Sequence, residues 1–257
     1  MNLRQPDIQI AANPEELARA AAEEYVRRAE EAVKAQGIFT VVLAGGSTPK
    51  ALYRLLAGEE EPSFRARLPW HKIHFFWGDE RHVPLDHPDS NYRMACEALL
   101  SSVPVPSENV HRVRTENPDA WQAAKEYEEE ICKFFFPSGR TAGQLPRFDL
   151  VLLGMGADGH TASLFPGTEA LHEQARLVVS QWIERFRAYR ITMTAPLLNN
   201  AARIIFLVSG EEKAETLREV LQGEYRPERF PAQLIRPAHG SLLWLVDSAA
   251  ARLLHLQ

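Results

Sequence analysis

In the stretch Gly154-Met155-Gly156-Ala157-Asp158-Gly159-His160 a carboxylate and an imidazole stand two residues apart in a glycine-rich turn, directly after the apolar run Phe148 to Leu153. Three glycines within six residues let the backbone turn sharply and keep space open for a ligand. Polar groups just past the carboxyl end of a buried parallel strand face the crevice where open α/β sheets bind substrates. A histidine, with a free pKa of about 6.5, is largely neutral near pH 7 and can accept a proton and return it. His160 is therefore the expected general base. Asp158 either orients that imidazole or caps a backbone amide, since Asp-Gly is also a common turn dipeptide.

A second block, Val41-Val42-Leu43-Ala44-Gly45-Gly46-Ser47-Thr48-Pro49-Lys50, reads as a strand, two glycines, two hydroxyls and a helix start. Free N–H groups and the helix dipole make such a start an anion site, and glycine lets a phosphate approach the backbone. The lysine spacing of a phosphate loop and the dinucleotide G-x-G-x-x-G pattern are both absent, so a small sugar phosphate fits better than a nucleotide. The plainer alternative is an ordinary helix capped by Ser47 or Thr48. In the third block, Phe75 to Trp77 leads into Gly78-Asp79-Glu80-Arg81-His82. Parallel strands point one way, so Gly45 to Thr48, Asp79 to His82 and Asp158 to His160 are expected on one rim.

The elements that must position these blocks alternate along the chain. Asn13-Pro14 opens an alanine- and glutamate-rich helix to Gln36, stopped by Gly37. Thr40 to Ala44 is a strand, Pro49 to Ala57 a helix, Lys72 to Trp77 a strand, and a helix starts near Asn91. Asn117-Pro118 repeats the cap-and-proline signature for a helix to Phe136. Strands follow at Phe148 to Leu153, Leu177 to Val179, Arg190 to Thr194, Arg203 to Val208 and Ser241 to Val246, with a helix at Glu211 to Leu221. The pattern predicts an α/β fold with a mainly parallel sheet and helices on both faces, as a single domain over 1–257, with 137–146 as a flexible loop.

Composition bounds the partners. The 257 residues carry 45% hydrophobic content and a formal charge of -5. A mildly acidic chain argues against nucleic acid or an anionic membrane as main partner. Cys96 and Cys132 have no metal-type spacing, His71 and His74 merely flank a strand, and no apolar run reaches the length of a membrane span. A soluble cytoplasmic protein without a metal, monomeric or a small homo-oligomer, is expected.

With Leu43 to Pro49, Gly78-Asp79-Glu80-Arg81 through Ser90-Asn91-Tyr92, and Gly154 to Pro166 in order, the chain resembles the 6-phosphogluconolactonases over nearly its whole length. Arg190 to Thr194 and Val208 to Ala214 resemble the family too. Phe186-Arg187-Ala188-Tyr189 stands where a proline-rich approach is usual, which leaves open whether Arg187 or Arg190 reaches the phosphate. The resemblance implies hydrolysis of 6-phosphogluconolactone in the oxidative pentose phosphate pathway, without a cofactor, on the fold of glucosamine-6-phosphate deaminases and ribose-5-phosphate isomerases.

A lactone is an activated ester, so a base to activate water and donors for the oxyanion suffice. Backbone N–H groups of the Gly154 to Gly159 turn are the expected oxyanion donors. Substrate-binding residues are expected at Gly45, Gly46, Ser47, Thr48, Asp79, Glu80, Gly156 and Gly159, with Arg81, Arg187, Arg190 and Lys213 as the phosphate cations. Lys213 falls early in a helix, where the dipole disfavours a cation, so it either meets an anion or extends into solvent. Two other functions compete. A glucosamine-6-phosphate deaminase commonly has tyrosine where Arg81 stands, and a non-catalytic sugar-phosphate sensor would be expected to lose Asp158 or His160.

Overall fold

A computed structural model describes residues 7–59 and 62–255. The first half of the chain runs β1 (Asp7–Ala11), α1 (Pro14–Gln36), β2 (Phe39–Leu43), α2 (Ser47–Ala57), α3 (Pro62–Arg67), β3 (Ile73–Trp77), β4 (Asp79–Arg81), α4 (Asn91–Ala98) and α5 (Ala120–Phe135). The second half runs β5 (Leu150–Gly154), β6 (Val178–Ile183), β7 (Ala188–Met193), α6 (Ala195–Asn199), β8 (Arg203–Val208), α7 (Ala214–Gln222), β9 (Ser241–Asp247) and α8 (Ser248–Ala251). No helix among the described residues is long and apolar enough to cross a membrane.

Six strands pair in the order β1-β9-β8-β5-β2-β3, every pair parallel. Alternate side chains of the central strands feed two separate cores, as strand pleating demands. On one face Val42, Val151, Leu153, Ile204 and Phe206 meet Ala123, Tyr127 and Ile131 of α5 and Leu217 of α7. On the other Val41, Leu43, Leu150, Leu152 and Ile205 meet Leu17, Ala21 and Tyr25 of α1 and Leu52 and Leu56 of α2. Burial on both faces is why β2, β5 and β8 read as largely continuous apolar runs rather than alternating ones. The parallel sheet with helices on both faces matches the expectation.

Four details differ from the sequence reading. Leu177 to Val179 and Arg190 to Thr194 do not extend the parallel sheet. They lie in β6 and β7, which with β4 make a separate antiparallel sheet ordered β4-β7-β6. Strand β1 was not anticipated, because its five residues lie mostly exposed on a sheet edge and lack a core-forming run. The cap of α5 is Asp119 rather than Asn117: the Asp119 carboxylate accepts the Trp121 and Gln122 N–H groups, while Asn117 accepts from Asp119 N–H. The helix read at Glu211 begins as a 3-10 turn over Glu211–Lys213, and α7 proper starts at Ala214. The Asn13 cap and the left-handed Gly37 stop of α1 are as expected.

From β2 the chain proceeds outward to β3, whereas from β5 it proceeds the other way to β8 and β9. The sheet therefore reverses direction between β2 and β5, and ligands in open α/β sheets bind beyond the carboxyl ends at such a point.

Candidate active site

Beyond the ends of β2 and β5 lies a cavity of about 210 Å³ lined by Gly45, Gly46, Ser47, Thr48, Asp79, Arg81, Asn91, Gly156, His160 and Lys213, among others. A larger depression of about 820 Å³ lies beside β6, around Trp121, Trp182 and Tyr189. Its Glu173 and Arg176 are already paired with each other, and it contains no histidine or cysteine. The smaller cavity holds the chemistry.

The turn after β5 is closed by its own backbone. Gly156 N–H donates to the His160 carbonyl at 2.9 Å, and Gly159 N–H donates to the Gly156 carbonyl at 2.9 Å. These two donors are therefore committed inside the turn, and an oxyanion contact from this turn falls to its other N–H groups. Gly156 matters in another way: a Cβ there would lie 2.1 Å from the His160 ring, so only glycine lets the imidazole fold over the turn. Gly159 has a φ of +79° and abuts Phe230, outside the cavity lining.

Asp158 makes both contacts that the sequence left open. Its Oδ1 accepts from the His160 backbone N–H at 3.2 Å and meets His160 Nδ1. Its Oδ2 faces Arg185 Nη1 at 2.6 Å. Burial works against ionisation, but the His160 ring and N–H and the Arg185 guanidinium outweigh it and hold the carboxyl well below the usual range. Phe165 packs on the imidazole with ring centroids 4.3 Å apart.

The opposite wall is the start of α2. Gly46, at φ +103°, is the N-cap and supplies no capping side chain, so neither Ser47 nor Thr48 takes the capping role. Lys50 N–H returns to the Gly46 carbonyl and Pro49 has no N–H, so among the described residues the N–H groups of Ser47 and Thr48 are free donors at a helix N-terminus. A Cβ on Gly45 would overlap Asn91 Oδ1 at 2.1 Å. Asn91 Nδ2 in turn donates to the Asp79 carbonyl at 2.9 Å, and Asp79 Oδ2 accepts from Ser163 Oγ at 2.6 Å.

The expected cations separate into two groups. Arg81 and Lys213 line the cavity. Burial lowers the Lys213 pKa, opposed by Glu212 and Asp247. Arg187 sits exposed at the β6–β7 tip, away from the cavity lining. Arg190 is nine-tenths buried beside Arg81, its partner in the β4–β7 register, with its guanidinium 4.9 Å over the Phe186 ring. Glu80 is also outside the lining. Its carboxylate accepts the N–H groups of Arg81, Asn91 and Tyr92 at 2.7–2.8 Å and the Ser90 hydroxyl at 3.3 Å, which anchors α4. Burial pushes it up to about 7, with Asp79 adding to the rise and the three N–H groups opposing it.

Asn91, Ser163 and Arg185 escaped the sequence reading. Asn91 and Ser163 lie inside the blocks that carry the family resemblance, but residue type and spacing alone give neither a role. Nothing in the local sequence marks Arg185.

The sequence profile described as glucosamine-6-phosphate isomerases/6-phosphogluconolactonase matches residues 12–244. A protein named 6-phosphogluconolactonase from Synechocystis sp. is 43% identical over 95% of this chain and 97% of its own. Another of that name from Nostoc sp. is 46% identical over 86% and 87%. The solved 6-phosphogluconolactonase of Trypanosoma cruzi superposes with a TM-score of 0.86 at 31% identity, covering 100% of this chain and 99% of that one. A monomeric glucosamine-6-phosphate deaminase, at 23% identity and a TM-score of 0.78 over 96% of this chain and all of its own, shares the fold. The chain belongs to the glucosamine-6-phosphate isomerase/6-phosphogluconolactonase family.

Proposed function

We propose that this chain is a single hydrolase domain that converts 6-phospho-D-glucono-1,5-lactone to 6-phospho-D-gluconate in the oxidative pentose phosphate pathway. Its relatives from Synechocystis and Nostoc carry the name of that activity. The observation that carries the reading is one small cavity walled on one side by the Asp158–His160 pair and on the other by a helix start with free N–H groups, Arg81 and Lys213.

With Asp158 ionised, the proton of the neutral imidazole sits on Nδ1 and Nε2 keeps its lone pair. Nε2 takes a proton from water while the water oxygen adds to C1 of the lactone. The tetrahedral intermediate then expels the ring oxygen, and His160 Nε2–H returns the proton to it as the C1–O5 bond breaks. The products are a carboxylic acid, which ionises, and the C5 hydroxyl. Water is the only co-reactant, so the step uses no cofactor. The phosphate sits at Ser47 and Thr48 N–H with Arg81 and Lys213, where dipole and cations act together. The partner is the small sugar phosphate; neither nucleic acid nor membrane is required.

The test is to generate the lactone in situ with glucose-6-phosphate dehydrogenase and follow its disappearance with and without the protein. Loss no faster than the spontaneous rate overturns the reading. Ammonia release from glucosamine 6-phosphate would move the assignment to the deaminase.

A further inference from the structure

We propose that Arg185 is a positioning residue: the β6–β7 hairpin sets its guanidinium on one oxygen of Asp158 and so aims the other oxygen at the His160 imidazole. The inference rests on the reading of His160 as the base and extends it to a residue on a different sheet. Arg185 Nη1 stands 2.6 Å from Asp158 Oδ2, while Oδ1 alone serves the His160 ring and N–H. A carboxylate turns readily about its terminal torsion, which is a broad, two-fold rotor. With Oδ1 on the imidazole and Oδ2 in an ion pair with the guanidinium, that rotation is opposed.

The hairpin is built to hold Arg185 in place. The guanidinium lies over two rings, 4.8 Å from the Phe165 centroid and 4.5 Å from Phe186. Phe165 is the ring that packs on His160, so the cation and the imidazole share one aromatic plate. Phe186 also carries Arg190. At the tip Arg187 adopts φ +47°, a left-handed conformation uncommon outside glycine, and its N–H closes the turn onto the Glu184 carbonyl at 3.1 Å. Below the tip, Ser163 N–H donates to Thr192 Oγ1 at 3.2 Å, and Gln181 Nε2 donates to the Ser163 carbonyl. The strands are thus tied to the segment that follows His160.

Arg185 is about half exposed, so the ion pair adds little to global stability. Its effect is local. The guanidinium shares the charge of the carboxylate that the imidazole meets, so removing it leaves that charge wholly to the ring. The other charged groups facing this region are Asp79 and Arg81 from β4, Arg190 from β7 and Lys213 from the turn before α7. Among the described residues Asp158 is paired with His160 and Arg185, and with none of these four.

The experiment compares Arg185→Gln and Arg185→Lys with the parent, following the His160 ring by NMR titration in the free protein and kcat and KM for the lactone across pH. Thermal melting confirms that both variants are folded. Arg185→Gln should lower kcat roughly tenfold, a loss of orientation rather than of the base, with KM within about twofold. The midpoint of the His160 titration should rise by about half a pH unit or more, and the acid limb of kcat/KM should rise with it. Arg185→Lys should restore most of both. An unmoved titration overturns the proposal, and so does a rise in KM alone, which would make Arg185 a substrate ligand. A moved titration with full activity in both Arg185→Gln and His160→Ala would instead remove the general-base reading and leave the Arg185–Asp158–His160 coupling in place.

Discussion

The turn after β5 and the turn after β3 are written alike, an apolar strand and a glycine followed by acid and histidine, yet their side chains do opposite things. After β5, Asp158 is tied to His160 and Arg185, and the imidazole faces the cavity. After β3, Glu80 turns inward to the amides that begin α4, and His82 meets the Asn117 carbonyl at 2.7 Å. Only Asp79 and Arg81 of that block look into the cavity. The difference lies in who satisfies the polar groups. A carboxylate that finds several backbone N–H donors becomes an anchor, whereas one that finds an imidazole and a cation becomes an orienting group.

The largest effect should therefore separate the two histidines. His160→Ala should cut turnover by roughly 10²- to 10⁴-fold with little change in 6-phosphogluconate affinity. His82→Ala should leave turnover within about twofold, since its ring is engaged with the main chain and lies outside the cavity lining. Equal losses in both variants would break the contrast. The next effect concerns affinity. Arg81→Ala or Lys213→Ala should weaken 6-phosphogluconate binding by roughly 1.5–3 kcal/mol each, as expected for a charge-assisted contact. Arg187→Ala should do far less. Calorimetry with 6-phosphogluconate and plain gluconate checks this, and comparable affinities for the two would remove the phosphate site.

Much of the frame was legible because it rests on local rules. The two-sided burial of β2, β5 and β8 shows as apolar runs such as Val41 to Leu43 and Ile204 to Val208, and Asn13-Pro14 with Gly37 brackets α1. The convergence of Gly45 to Thr48, Asp79, Arg81 and His160 follows from parallel strand direction alone. What could not be read depends on partners distant in sequence. No spacing rule says that Glu80 will find the amides of Asn91 and Tyr92, that Arg190 will be buried under Phe186, or that Arg185 will cross to Asp158 from another sheet. The donors of Gly156 and Gly159 looked free for a related reason: hydrogen bonds inside a turn depend on its conformation, which composition leaves undetermined.

The smallest expected effect compares the two carboxyls through the pH dependence of stability. Asp158 is held well below the ordinary range, so the stability it contributes is present above its unfolded value of about 3.9 and is lost as pH falls through the folded value. Glu80 is pushed up to about 7, so its contribution is present below the unfolded value and is lost as pH rises through 7. The signs are opposite, and they can be read from melting curves of Asp158→Asn and Glu80→Gln beside the parent. The Glu80→Gln protein should be less stable by about 1–3 kcal/mol at pH 5, because an amide oxygen cannot serve all the donors that the carboxyl serves. Its deficit should shrink between pH 5 and pH 8 as the parent loses the proton that burial favours. The Asp158→Asn deficit should narrow as pH falls below about 4 toward pH 3. A Glu80→Gln deficit that grows with pH would show that the Arg81, Asn91 and Tyr92 amides outweigh burial, so that both turns hold ionised carboxylates and differ only in whether the donors are amides or side chains.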